Sequence, residues 1–198
     1  LIQGLKYGWN DRAVRGILII SAGYFTFGMA FMQVFAPLFA KKVLDIGDSG
    51  FGYMMAITGA GGVAGAFLLA SLNPTTKRGQ VTTVLLGILG LLLIGFALST
   101  YAGSVAPVFI LVGVLGLAQS WFIPMINAIL LETAPDSMRG RVVGLLSLDR
   151  AMSTVGAAGA GFLAAAIGAQ QAQVIFGACC IATALAMFAL YPTIRRID

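Results

Sequence analysis

The sequence predicts an all-α membrane protein of six transmembrane helices. Hydrophobic residues fill 59% of its 198 positions and only 10% are charged, whereas a soluble domain carries about 25% charged residues. The apolar residues fall in six long runs, with charge gathered in the short stretches between them. Twenty-six glycines supply the small surfaces that let membrane helices approach closely.

The first element, residues 1–15, is a polar lead-in with Lys6, Asp11, Arg12 and Arg15. It lacks the charged-then-apolar layout and cleavage site of a signal peptide and is expected on the cytoplasmic side. A transmembrane domain over 16–198 follows. Its spans are Gly16–Ala40, Gly50–Leu72, Val81–Tyr101, Val105–Leu131, Val142–Ile167 and Gln173–Tyr191. Each approaches or exceeds the roughly 20 residues that a spanning helix needs. In hydrocarbon every backbone amide must be paired within the segment or in a closed barrel. Barrel strands would be about half as long and would alternate in polarity, so these runs are helices.

Alternate loops fix the orientation. One side collects Lys6, Arg12, Arg15, Lys77, Arg78, Arg139, Arg141, Arg195 and Arg196. The other has Lys41 and Lys42, offset by Asp45 and Asp48, and its loops near 102–104 and 168–172 carry no charge. Basic loops stay inside, which puts both termini in the cytoplasm; the membrane is expected to be a bacterial inner membrane. The basic balance is thus a topology signal and implies no nucleic-acid partner. The two groups of three spans enter from opposite sides, so a 3+3 repeat would be inverted. Gly61 and Gly65 on the second span, and Gly156, Gly159 and Gly161 on the fifth, are expected at close helix contacts.

The loop Pro135-Asp-Ser-Met-Arg-Gly-Arg141, followed by Val142-Val-Gly144, resembles the last cytoplasmic loop of the major facilitator superfamily. Gly4-Leu-Lys-Tyr7 with Asn10, Asp11 and Arg12 is similar to the central linker before the seventh helix of such transporters, especially those of the enterobactin-exporter-like drug and siderophore type. The resemblance implies the C-terminal half-bundle of a twelve-helix transporter, with substrate held between two six-helix bundles. The loop after the second helix departs from the family pattern. Asn73-Pro-Thr-Thr-Lys-Arg-Gly-Gln80 keeps the basic residues and a glycine but lacks the leading glycine and the acidic residue, which puts a charge latch between halves in doubt.

Six residues are candidates for a substrate or ion pathway. Asp149 lies about 12 Å along the fifth helix from Arg141, near the middle of a hydrocarbon core about 30 Å thick. A charge there costs about 2.5–3.5 kcal/mol on insertion scales, so Asp149 and Arg150 each need a cavity or a partner. A buried ion pair or a snorkelling arginine is the plainer alternative. Gln119, Trp121 and Asn127 share the fourth span with Pro124, which frees the carbonyl of Ser120; Gln33 is a similar amide on the first span. Bonding between helices would also account for these amides. Glu132, Asp136, Arg139 and Arg141 could form a cytoplasmic gate, or simply cap the fifth helix and fix topology. Tyr53, Met54, Met55, Met29 and Met32 read as core or lipid-facing residues, and Cys179 and Cys180 as packing.

With no histidine, the chain has no His-based triad, and no phosphate loop or metal-ligand spacing appears. It is therefore expected to be no enzyme and to hold no cofactor. Two functions remain. One is transport of a small molecule by rocking against a second six-helix bundle, its own copy or a separate half. The other is a structural subunit of a larger membrane complex, derived from a transporter half.

Overall fold

The computed structural model describes residues 12–72, 78–102, 104–133, 144 and 147–191, and for 12, 13, 133 and 147–150 it describes the backbone only. Every regular element among the described residues is helical. The elements are α1 (Val14–Val43), α2 (Gly47–Leu72), α3 (Arg78–Ser99), α4 (Ala106–Ser120), α5 (Phe122–Thr133), α6 (Ser147–Ile167) and α7 (Ala169–Leu190). Among the described residues five helices are long and apolar enough to cross a membrane, with α4 and α5 forming one of them over Ala106–Glu132. The apolar part of α6, Ala151–Ile167, is shorter.

Two boundaries differ from the sequence reading. The uncharged stretch expected as a loop at 168–172 is helix from Ala169 onward, and Gly168 alone makes the turn, at φ +94°. Only glycine adopts that conformation without strain. The fourth span is broken at Trp121, where Pro124 withholds the amide hydrogen that Ser120 would otherwise receive.

Hydrocarbon tails are as apolar as leucine, so apolar burial between spans drives little association and close contact must do it. α3 and α7 pack along their lengths. At their crossing a Cβ on Gly90 would stand 2.5 Å from the Gly177 carbonyl oxygen, and one on Gly177 2.7 Å from that of Gly90. α2 lies against α4, where Gly61 faces the Gly113 carbonyl, Gly65 the Ser120 hydroxyl and Gly116 the Thr58 carbonyl. α6 lies against α1, with Gly156 on the Thr26 carbonyl. Gly61, Gly65 and Gly156 therefore sit where the sequence puts them. Gly159 only grazes the Phe176 ring, and Gly161 faces open space. At one end of the bundle the Arg15 guanidinium lies 5.4 Å from the Tyr191 ring centre.

α1 departs from regular α-helix. After Arg12–Gly23 it widens into π turns at Tyr24–Gly28, Phe31–Phe35 and Phe39–Val43. The cause is legible in the sequence. Phe27, Phe31, Phe35 and Phe39 recur every four residues, and an α-helix would turn such a row by about 40° per step away from a single face. The wider π turn takes up the excess. The row closes on two rings, since Phe31 and Phe39 both meet Phe96 of α3, at 5.0 and 4.9 Å, and Phe27 and Phe35 both meet Phe176 of α7, at 5.6 and 5.4 Å.

Candidate functional site

The first and fourth spans meet in the middle of the bundle through aromatic rings. Tyr24 of α1 stacks on Phe122 of α5 at 4.2 Å and 6° between planes. Just before Phe122, the break at Trp121 points its indole at the second span, and Nε1–H donates to the Gly65 carbonyl at 2.7 Å. The close approach of Gly65 to Leu117 and Ser120 brings that carbonyl within reach. Trp121 thus ties the fourth span to the second, a role its position in the sequence did not announce.

The candidate amides have different surroundings. Gln119, one turn before the ring stack, has a buried Nε2 with no hydrogen-bond partner among the described residues. Asn127, two turns further, is half-buried. Gln33 is exposed within the π turn Phe31–Phe35, and its backbone N–H reaches the Met29 carbonyl only at 3.4 Å. A carboxamide facing lipid is unfavourable, and within this chain Gln33 has its side chain exposed. Asp149 and Arg150 lie in the first described turn of α6, and their side chains are outside the described residues, as are Asp136, Arg139 and Arg141 altogether. Glu132 is described, and it forms an ion pair with Arg78 from the first turn of α3.

Sequence reasoning missed two features. Gln173 was assigned to the start of the last span; it is fully buried, and neither carboxamide atom has a partner among the described residues. The Arg78–Glu132 pair joins residues 54 apart in sequence, a distance at which sequence spacing carries no signal. Among the described residues no three His, Cys, Asp or Glu side chains gather as metal ligands. Met54 is buried and Tyr53 is 66% exposed, which divides the second-span cluster between core and surface.

A polytopic bundle with glycine-mediated crossings and a buried amide, Gln119, one turn from its central ring stack has the build of a membrane transporter. The Major Facilitator Superfamily model matches residues 18–197, so the chain belongs to that superfamily. It is also similar to a protein described as the multidrug efflux pump Tap of Mycolicibacterium fortuitum, with 25% identity over 170 residues, covering 85% of this chain and 40% of the relative. The chain thus spans well under half the length of that relative. No solved structure matches it significantly.

Proposed function

We propose that the chain is the C-terminal six-helix half of a major facilitator exporter, set in a bacterial inner membrane with both termini in the cytoplasm. It moves small molecules by alternating access against a second six-helix bundle. The observation that carries this reading is the composition of the open faces of α2 and α6. On α2 the exposed side holds Gly52, Ala56, Gly59, Ala60 and Ala64 beside the larger Tyr53, Val63 and Phe67, and on α6 it holds Ala158, Gly161 and Ala165 beside Val155 and Phe162. Gly52, Gly59 and Gly161 meet nothing within 4 Å. Small residues of this kind suit another helix at close range, and the partner they fit is a second bundle.

The packing order supports an inverted 3+3 repeat. Exchanging spans one with four, two with five and three with six turns the α2–α4 contact into the α6–α1 contact and returns α3–α7 to itself. α6 is then the fifth crossing. The relative's description as a multidrug efflux pump supports drug-like substrates and outward movement, and the enterobactin-exporter-like linker fits the same class. Gln33, Gln119, Asn127 and Trp121 line the route, with Asp149 as the ion carrier and Arg150 as an anion contact. Glu132, Asp136, Arg139 and Arg141 form the cytoplasmic gate.

The test is a drug-efflux assay on the intact protein in cells, run beside folded yield. Asp149→Asn is nearly isosteric and is expected to abolish coupled transport while leaving yield intact. Low yield restored when the cation that Asp149 neutralises is replaced as well, together with no transport by the unmodified protein, would instead identify a structural subunit. Cysteines at Lys77 and Arg196 are expected to react with impermeant reagents only after the membrane is opened, and one at Asp45 in intact cells. The reverse pattern overturns the topology.

A further inference from the structure

The first span carries a second kind of information in its backbone. A π turn is an α-helix with one residue too many, and α1 holds three, bonded Met29 N–H to Tyr24 O, Ala36 N–H to Phe31 O and Leu44 N–H to Phe39 O. Between the first two, the Gln33 N–H reaches Met29 O only at 3.4 Å, beyond the usual 2.7–3.2 Å. That amide lies inside a membrane span, where a weakly paired amide has no bulk water to turn to. The exposed carboxamide of Gln33 therefore sits on a long backbone bond.

The ring contacts around it come in equivalent pairs. Phe96 is held between Phe31 and Phe39, and Phe176 between Phe27 and Phe35, all at 4.9 to 5.6 Å. An extra residue that moves along a helix turns the residues it passes by about 100° and leaves the flanks in place. A movement confined to Met32–Val34 turns none of these rings, because Phe31 and Phe35 flank it and keep their contacts with Phe96 and Phe176.

We propose that the π turn Phe31–Phe35 is a register switch, and that it sets which side chain of the first span, Gln33 or its neighbour Val34, faces the open side of the bundle. This rests on the transport reading for its purpose but not for its structure. In one register the amide of Gln33 faces the route. When the extra residue moves past it, Gln33 turns away and the apolar Val34 takes its place, which changes the route from amide-lined to apolar without moving either end of the span.

The experiment uses the intact protein in lipid nanodiscs, with Cys179→Ser and Cys180→Ala, and single cysteines at Gln33 or Val34. Both positions are expected to react with an impermeant maleimide within about threefold of each other. Deleting Met32 removes the extra residue, fixes one register and is expected to separate the two rates by at least tenfold, with the protein still folded. The same deletion at Ile88, in regular α-helix, is expected to abolish folding. A tenfold or greater separation already present in the intact protein overturns the switch, and this holds even where the deletion variant does not fold. Efflux from cells that express the same variants keeps the two readings apart. Active efflux with fixed rates rejects the switch alone, whereas comparable rates without efflux reject transport alone.

Discussion

Arg78, in the first turn of α3, pairs with Glu132 at the end of the fourth span. The pair joins the start of α3 to the end of α5 within one bundle. The arginine side chain is 18% exposed and the glutamate 51%, so solvent screens the pair in part. Glu132→Gln is expected to cost about 0.2–1 kcal/mol and to lower the melting temperature in mild detergent. The charge-reversed double variant Arg78→Glu with Glu132→Arg should be more stable than the losses of its two single variants predict. A double variant no better than the two single ones added together would mean that the two residues act independently.

The crossing of α3 and α7 makes the sharpest stability prediction. Gly90→Ala places a methyl group against the Gly177 carbonyl, and the helices must part. The cost is expected at about 1–3 kcal/mol. Gly161→Ala, on an open face, is expected within about 0.5 kcal/mol of the parent. Thermal unfolding of both variants checks this, and equal effects would contradict the packing described for the crossing.

Gln173 leads to the opposite sign. A buried polar group left unpaired costs about 1–3 kcal/mol, and both ends of its carboxamide lack partners among the described residues. Gln173→Met keeps a similar volume and removes the polar atoms, so the variant should be more stable than the parent. A lower melting temperature would show that the amide is paired after all.

Trp121→Phe deletes the indole donor and keeps an aromatic ring. The bond to Gly65 O at 2.7 Å joins two spans, and side-chain bonds of this kind in membranes average about 0.6 kcal/mol. A loss of that size in a reversible unfolding titration is the expected result. No loss would leave the contact without energetic meaning.

Much of this architecture is readable from the chain. Long apolar runs mark helices because the bilayer leaves the backbone no other choice, and the break near Trp121 follows from one missing amide hydrogen at Pro124. The π turns were also readable, in the four-residue recurrence of Phe27, Phe31, Phe35 and Phe39, but that period lies close enough to 3.6 to pass for ordinary amphipathicity. The surroundings of Gln173 and Trp121 were not readable. Gln173 stands beside Gln170 and Gln171 at a helix end, where glutamines suggest solvent, and its burial comes from spans far away in sequence. The partner of Trp121 is a backbone carbonyl, which any residue type could have offered. For Asp149 and Arg150, sequence supplies a depth and a helix, while function depends on the direction in which each side chain points.

Gly168 joins α6 to α7 with no intervening segment, which bears on how the chain enters the bilayer during synthesis. The joint is one uncharged residue, so the two arms can pair with each other as they enter the bilayer. Lengthening this joint with polar residues would uncouple the arms, leaving α6, with its exposed alanines and glycines, to find its place beside α1 unaided.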